Sequence, residues 1–321
     1  MKTWTKLLSM ALIMVLACTT FTACSSEEAA ETYEIGIVQL VEHPALDAAT
    51  EGFQQAIIDE LGEDAVTFDL QNGQNDSPTC ATIANQFVSD GVDLIMANAT
   101  PALQAAAAAT GDIPILGTSV TEYGVALGIE GFDGTVGGNI SGTSDLAPLD
   151  EQAAMITEWF PDAANVGLLY CSAEPNSQYQ VDVVKAELEA AGLTARLYSF
   201  SDSNDLASVC TAAVENSDVI YVPTDNTVAS NTGIIDNICQ NAGVPVIAGE
   251  EGICSGCGVA TLSISYYDLG YTTGQMAVKI LRDGADISTM AIEYTTTTPK
   301  YNAAICDALG ITPVDGYEAI A

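Results

Sequence analysis

Short apolar runs alternate with amphipathic helical patterns along most of the chain, and this alternation constrains the fold more than any other feature. Several runs are apolar almost without interruption, as in strands that are buried on both faces. The candidate strands are Ile35–Leu40, Ala65–Leu70, Asp93–Asn98, Ile113–Thr118, Val166–Tyr170, Ala195–Ser199, Asp218–Val222, Val244–Gly249 and Val259–Leu262. Strand–helix alternation at this spacing predicts βαβ units and parallel sheets.

The segments between these strands carry one-sided apolar stripes at helical spacing. The stripe of the first helix is Leu46, Thr50, Phe53, Ile57 and Leu61. The stripe of the second helix is Cys80, Ile83, Phe87 and Val88. Each of these helices therefore has one face to pack against a sheet.

The alternation occurs twice, from residue 35 to about 130 and from about 165 to 262. The stretch 131–145 between the two series contains five glycines, which predicts a loop and a crossover. We expect two α/β lobes with parallel sheets and a cleft between them. Ligands of such sheets bind at the carboxyl ends of the strands, beside helix N-termini.

Charge excludes some partners. The chain has 43 acidic and 7 basic residues and a formal net charge of −36. After residue 24 its cations are Lys185, Arg196, Lys279, Arg282 and Lys300. So acidic a surface repels nucleic acid and anionic lipid headgroups, and we expect neither as a partner. The hydrophobic fraction of 48% is nevertheless high enough to build a core.

The N-terminus has the pattern of a secretory signal. Lys2 and Lys6 precede an apolar run over residues 7–17, too short and wrongly flanked for a spanning helix. Small residues then lead to Cys24 and an acidic tether, which resembles a bacterial lipoprotein cleavage site. Cys24 is the favoured lipidation site; Cys18 and a plain signal peptide are the alternatives. We expect a protein anchored by lipid on the extracytoplasmic face of the cell membrane.

Beyond these two cysteines the chain has Cys80, Cys171, Cys210, Cys239, Cys254, Cys257 and Cys306. An odd number leaves at least one thiol unpaired within a single chain. Cys254 and Cys257 have the spacing of a redox or metal pair, so structural thiols, a local disulfide and a metal site stay open. His43 is the only histidine, and no second such pair exists, so we expect no zinc site.

Polar residues follow the predicted strands at the edge where a ligand would bind. The candidate ligand-binding residues are Gln39, Glu42, Thr100, Thr121, Ser144, Tyr170, Asn176, Thr224, Asp225, Asn226 and Glu250. Many of these could equally cap the helix that follows. His43 likewise stands at a strand-to-helix junction, where it either caps and packs or faces the ligand. No lysine or arginine falls in these loops, so an anionic ligand group would rest on hydroxyls and helix N-termini.

Enzyme signatures are absent from the sequence. It has no GxGxxG after the first strand, no GxxxxGK[ST], no GxSxG and no metal constellation. We therefore expect a binding protein without catalytic activity and without a cofactor.

Six segments resemble a known family. They are EIGIVQLVEHPALDAATEGF (34–53), ATPALQAA (99–106), NISGTSDLAPLDEQ (139–152), LLYCSAEPNS (168–177), DVIYVPTDNTVAS (218–230) and GVATLSISYYDLGYTTGQMA (258–277). The chain is identified by them as similar to ABC-transporter substrate-binding proteins of the tryptophan-binding lipoprotein type. The resemblance implies a type I periplasmic-binding-protein fold with three hinge crossings, near 140–145, 262–266 and 288–294. It implies a signal peptide 1–24, a tether 25–33, an N-terminal lobe 34–141 plus 266–289, and a C-terminal lobe 142–265 plus 290–321.

The resemblance also implies an aromatic amino acid as ligand, an ABC permease as partner, and a monomer that closes by hinge motion. On this reading Thr100 and Thr121 hold the ligand's carboxylate. Asp225 receives its ammonium group or, alternatively, only caps a helix. The chain departs from the family pattern at 171–173 and 121–124, so a sugar, nucleoside or other small metabolite stays an alternative, and a two-lobed enzyme such as a glycosyltransferase a remote one.

Overall fold

The predicted apolar runs form strands. The computed structural model describes residues 32–320. In this range the strands are β1 (Tyr33–Gln39), β2 (Val66–Asn72), β3 (Leu94–Asn98), β4 (Ile115–Val120), β5 (Ile140–Ser144), β6 (Asn165–Cys171), β7 (Thr194–Phe200), β8 (Val219–Val222), β9 (Val246–Ala248), β10 (Ala260–Ile264), β11 (Glu293–Tyr294), β12 (Thr297–Tyr301) and β13 (Glu318–Ala319). All nine candidate strands are confirmed to within a few residues at each end.

Helices connect these strands, as the one-sided stripes predict. They are α1 (Pro44–Leu61), α2 (Ser77–Asp90), α3 (Thr100–Ala109), α4 (Tyr123–Leu127), α5 (Leu149–Trp159), α6 (Pro175–Ala190), α7 (Ser203–Val214), α8 (Asn226–Ala229), α9 (Thr232–Ala242), α10 (Glu251–Cys257), α11 (Tyr266–Leu281) and α12 (Ala303–Leu309), with 3₁₀ turns at Glu63–Ala65 and Ile287–Thr289. Among residues 32–320 no helix combines the length and apolarity needed to cross a membrane.

Two sheets organise the chain. The first has the order β11-β5-β4-β3-β1-β2 and is parallel throughout. The second has the order β13-β12-β10-β9-β8-β6-β7, with β12 antiparallel to β10. The expected α/β architecture with parallel sheets in two halves is confirmed.

The glycine-rich stretch 131–145 differs from its prediction as a loop, because Ile140–Ser144 form β5, an interior strand of the first sheet. Gly142 has φ 148°, and a Cβ there would lie 2.0 Å from the carbonyl oxygen of Gly117 on β4. Glycine is therefore required at this position by the close approach of two backbones, and not by a turn.

The chain passes between the sheets after β5, after β10, and between β11 and β12. Residues 142–144 and 293–294 thus pair in the first sheet. The lobe boundaries from the sequence stay a prediction, and we propose to place them at 144/145 and 294/295.

Helix α11 packs closely along α1, beside the first sheet. A Cβ on Gly270 would lie 1.9 Å from the carbonyl oxygen of Ala49, and one on Gly52 would lie 2.1 Å from that of Tyr267. Only glycine allows the two backbones to approach this closely. This contact fixes the start of α11, and with it Tyr266, relative to the start of α1.

All seven cysteines of the described range are buried and free. The thiols of Cys254 and Cys257 donate to the carbonyl oxygens of Gly258 and Ile253 and not to each other. Cys24, Cys18 and the signal segment lie outside the described residues.

Candidate functional site

Loops at the carboxyl ends of the strands of both sheets meet around one cavity. Its walls on the side of the first sheet are His43, Leu46, Ser119, Thr121, Asp145 and Tyr266. Its walls on the side of the second sheet are Asn176, Thr224, Asp225, Asn226, Ala229 and Glu250. The space between these walls is about 270 Å³ and is open in part to solvent. Polar side chains from both sheets line it.

The eleven candidate residues divide into two groups. Those in the cavity wall are Thr121, Asn176, Thr224, Asp225, Asn226 and Glu250. Those outside the wall are Gln39, Glu42, Thr100, Ser144 and Tyr170. That any of them contacts a ligand stays a prediction.

Internal hydrogen bonds explain why strand-end residues such as Gln39 and Tyr170 lie outside the cavity wall. Gln39 Nε2 donates to Asp47 Oδ1 at 2.6 Å, and Gln39 Oε1 accepts from the Thr50 hydroxyl at 2.6 Å. The Tyr170 hydroxyl donates to Gln178 Oε1 at 2.9 Å. These side chains hold helices to the sheets.

Sequence reasoning did not select Ser119, Asp145 and Tyr266, which line the cavity. Asp145 directly follows β5, the strand hidden in the glycine-rich stretch, so its strand-end position had no visible signal. His43, for which two readings were open, stands at the N-cap position of α1 without a capping hydrogen bond from its side chain, and it lines the cavity.

Asp145 is buried, and its carboxyl group makes only part of the hydrogen bonds that it could make. Its Oδ2 accepts a 2.8 Å hydrogen bond from the Tyr266 hydroxyl, while its Oδ1 has no hydrogen-bond partner among the described residues. Burial raises the pKa of this carboxyl, although the hydroxyls of Tyr266 and Thr121 act to lower it. Within the part of the chain that the structure describes, no lysine or arginine lines the cavity. A buried carboxylate with a free oxygen and no internal cation is costly unless a ligand supplies the positive charge.

Asp225, by contrast, has both oxygens engaged. Oδ1 accepts from the backbone N–H of Val228 at 2.9 Å, which caps α8, and Oδ2 accepts from the N–H of Cys171 at 2.7 Å. Burial, together with the nearby charge of Glu174, raises the pKa of Asp225. The capping alternative of the sequence analysis is therefore present in the structure, and the ammonium role of Asp225 stays a prediction.

Glu174 ties α6 to the start of α8. Its Oε2 accepts from the backbone and side-chain amides of Asn226 at 3.0 and 2.7 Å. Its Oε1 accepts from the backbone N–H and hydroxyl of Thr227 at 2.9 and 2.8 Å. With Asn176 Nδ2, which donates to Oε2 at 3.4 Å, five donors on one buried carboxylate make this wall of the cavity rigid.

Two hydrogen bonds join the loops of the two sheets beside the cavity. His43 Nε2 lies 3.3 Å from Asn226 Oδ1, and Asn75 Nδ2 donates to the Thr227 hydroxyl at 3.0 Å. Both partners on the second-sheet side are held by Glu174. The cleft is therefore closed, and the closing contacts lie on its rigid wall.

Unsatisfied polar atoms concentrate in the cavity wall. Nine buried side-chain nitrogen or oxygen atoms among the described residues have no hydrogen-bond partner. Four of them belong to residues of the wall: His43 Nδ1, Ser119 Oγ, Asp145 Oδ1 and Asn176 Oδ1. Buried polar atoms are nearly always paired, so this concentration indicates a place where a ligand completes the hydrogen bonds.

Two residues with strained backbone conformations lie at the carboxyl ends of the first sheet's strands, the edge that faces the cavity. Ala99 follows β3 with φ 92°, and Ser119 lies near the end of β4 with φ 54°. Non-glycine residues in this region are costly and cluster at functional sites. The strained conformation of Ser119 places its free hydroxyl beside the cavity.

Two mostly parallel sheets, with a polar cavity at their strand ends, form the architecture of two-lobed solute-binding proteins. The chain matches the family model "ABC transporter substrate binding protein" over residues 34–315. It is 37% identical over 293 residues to a tyrosine-binding protein of Clostridioides difficile, covering 86% of this chain and 84% of that protein. The chain belongs to the ABC transporter substrate-binding protein family.

Two solved structures show a similar fold. One is an ABC domain from Streptococcus pneumoniae in complex with L-Trp, with TM-score 0.86, 32% identity, and coverage of 90% of this chain and 100% of that one. The other is the ligand-free, open structure of a substrate binding protein with adhesive properties from Clostridium difficile, with TM-score 0.69, 39% identity, and coverage of 90% and 99%. The chain is more similar in shape to the ligand complex, although its sequence is closer to the open protein.

The acids of the cavity predict that the empty protein loses stability as pH rises. Burial, together with the charges of Asp145 and Glu251, raises the pKa of Glu250 from 4.5 to about 7, against the effect of two backbone N–H groups. The folded state then holds a proton that the unfolded chain has lost, so stability falls between pH 4.5 and 7. For Glu250 the loss is at most roughly 3 kcal/mol.

Thermal unfolding between pH 5 and 8 measures this slope. Glu250→Gln should make this slope smaller, with the remainder due to Asp225 and Asp145, while Glu151→Gln, at an exposed acid on α5, should leave it unchanged. Equal slopes in the wild type and Glu250→Gln would contradict the assignment.

Proposed function

We propose that this protein captures a single amino acid, with an aromatic side chain favoured, and delivers it to an ABC importer. The observation that carries the proposal is Asp145, a buried carboxyl with one free oxygen in a cavity without lysine or arginine. An ammonium group suits this oxygen, because it supplies hydrogen-bond donors and, for the ionised carboxyl, the compensating charge. Relatives named for tyrosine binding and solved with L-Trp support the aromatic class.

The ligand's carboxylate needs donors in the same cavity. Ser119 offers a free hydroxyl, and Thr121 lines the wall beside it. Thr100, expected from the sequence to share this role, is buried outside the wall, so we assign the carboxylate to Ser119 and Thr121. The raised pKa values of Asp225 and Glu250 help, because protonated acids leave a less negative cavity that accepts a zwitterion.

Delivery of the ligand depends on closure of the cleft around it. Ligand contacts with both sheets stabilise the closed state that the His43–Asn226 and Asn75–Thr227 hydrogen bonds already define. The permease then distinguishes the closed protein from the open one. No bond is made or broken in the ligand, so the proposed role is binding and not catalysis.

A thermal-shift screen of the chain from Tyr33 onward tests this function. At a concentration of about 100 Kd a ligand adds roughly 2.7 kcal/mol to the free energy of unfolding, which should raise the midpoint by roughly 5–10 °C. We expect such a shift with one or more amino acids and none with sugars or nucleosides at equal concentration. A shift with a sugar or nucleoside alone would overturn the amino-acid assignment.

We further propose that Cys24 carries the lipid that holds the protein on the extracytoplasmic face of the membrane. The small residues before it and the acidic tether after it support this assignment. Cys24→Ser should move the protein from the membrane fraction to the soluble fraction, or leave it unprocessed, while Cys18→Ser should change neither. Lipidation that persists in Cys24→Ser and fails in Cys18→Ser would transfer the role to Cys18.

A further inference from the structure

We propose that the ligand's side chain carries a hydrogen-bond donor and that His43 Nδ1 accepts it, which makes His43 a specificity-determining residue. This inference rests on the proposed function, since it concerns the side chain of the amino acid whose ammonium group Asp145 binds. Its basis is a chain of hydrogen bonds that fixes which nitrogen of His43 carries the proton.

This series of hydrogen bonds begins at Glu174. Its carboxylate is held by the backbone N–H groups of Asn226 and Thr227 at 3.0 and 2.9 Å. Oε2 can only accept, so the 2.7 Å contact identifies the Asn226 atom facing it as the amide nitrogen. The amide oxygen of Asn226 therefore faces His43 Nε2, at 3.3 Å.

An oxygen acceptor opposite Nε2 places the hydrogen on that nitrogen. Burial lowers the pKa of His43, against the opposing effects of Asn226, Asp47 and Glu174, so the ring is neutral near pH 7. In a neutral imidazole whose Nε2 carries the hydrogen, Nδ1 is an acceptor. This atom is buried and has no hydrogen-bond partner among residues 32–320.

Asn176 adds a second acceptor to the same wall. Its Nδ2 donates to the carbonyl oxygen of Thr224 at 3.0 Å, and its Oδ1 is buried without a partner. Both Asn176 and Asn226 lie within hydrogen-bond distance of Glu174 Oε2, so this acceptor belongs to the wall that holds His43.

Asp145 lies in a different network. Its Oδ2 is bonded to Tyr266 at the start of α11, whereas the hydrogen bonds of His43 and Asn176 lead to Asn226 and Glu174. The ammonium group thus belongs to the Asp145 end, and the acceptors of His43 and Asn176 remain for the rest of the ligand.

A side chain without a donor would bury these acceptors unpaired. A phenol O–H or an indole N–H can satisfy His43 Nδ1, whereas a phenyl ring cannot. Leaving one such atom unpaired lowers affinity by roughly 10- to 100-fold, and sites built to bind a ligand hydroxyl reject its deoxy analogue by larger factors still.

The test uses pairs of amino acids that differ by one side-chain donor: L-tyrosine with L-phenylalanine, L-tryptophan with 1-methyl-L-tryptophan, and L-threonine with L-valine. Calorimetry on the wild type should show the donor-bearing member of at least one pair binding 10-fold or more tighter. His43→Leu should bring that ratio to within about 3-fold, because the acceptor is gone. His43→Gln, which keeps an acceptor oxygen, should retain most of the preference.

Asn75→Ala is the matched control. It removes the other hydrogen bond that joins the two sides beside the cavity, to Thr227, without touching a cavity residue. It should weaken both members of a pair equally and leave their ratio unchanged. The loss of the His43–Asn226 contact in His43→Leu likewise affects both members and cancels in the ratio.

Each outcome decides something. If amino acids bind the wild type with no preference for the donor, or if His43→Leu keeps the preference, the inference fails while the proposed function stands. If no amino acid binds, the proposed function fails and the inference fails with it. Should His43→Leu not fold, as its melting curve would show, the wild-type ratios and His43→Gln still decide.

Discussion

Asp145→Asn should weaken amino-acid binding by ~2–5 kcal/mol, or roughly 30-fold to several thousand-fold in Kd. Asparagine keeps the size of the side chain and an oxygen for the Tyr266 hydroxyl, but it removes the charge opposite the ammonium group. The fold should therefore be retained, and the loss should appear in calorimetric affinity.

Two controls accompany this variant. Asp150→Asn changes an exposed acid on α5 and should bind as the wild type does. Asp225→Asn tests the ammonium site expected from the sequence. If Asp145→Asn bound with wild-type affinity and Asp225→Asn lost binding, Asp225 and not Asp145 would be the residue that binds the ammonium group.

Glu174→Ala should lower the free energy of unfolding by roughly 3–5 kcal/mol, because it leaves four buried donors of Asn226 and Thr227 without their acceptor. Denaturant unfolding of the ligand-free chain measures the change. Glu187→Ala, an exposed glutamate on the same helix, should have little effect. A destabilisation below about 1 kcal/mol for Glu174→Ala would show that the donors find other partners.

Most of the fold follows from apolar periodicity. Strands such as β3 (Leu94–Asn98) are buried along their whole length and are apolar up to their last residue. Strands β5 and β12 escaped prediction for a physical reason. Ile140–Ser144 contains Gly142 because β4 lies too close for a side chain, and Thr297–Tyr301 is a half-buried, polar strand that pairs antiparallel.

The residues of the cavity wall were predictable to a smaller extent. The principle that ligands bind at strand carboxyl ends selected Thr224 and Glu250, which line the cavity, because β8 and β9 are visible in the sequence. It did not select Asp145, because β5 was not predicted as a strand. It also selected Gln39, whose amide is occupied by Asp47 and Thr50.

Sequence patterns do not show which polar atoms remain without a hydrogen-bond partner. Asp145 and Asp225 are the same residue type in comparable positions after a strand. Only the three-dimensional arrangement shows that both oxygens of Asp225 are bonded and one of Asp145 is not. This difference decides which carboxyl we assign to the ammonium group.

The central claim is that the cavity binds an amino acid through its ammonium group. Isothermal titration calorimetry of the chain from Tyr33 onward, refolded from denaturant to remove any bound ligand, tests it most directly. The probes are L-tyrosine and N-acetyl-L-tyrosine, which differ by the charge on the nitrogen. We predict saturable 1:1 binding of L-tyrosine and at least 100-fold weaker binding of the acetylated form, whereas equal affinities, or binding of the acetylated form alone, would contradict the claim.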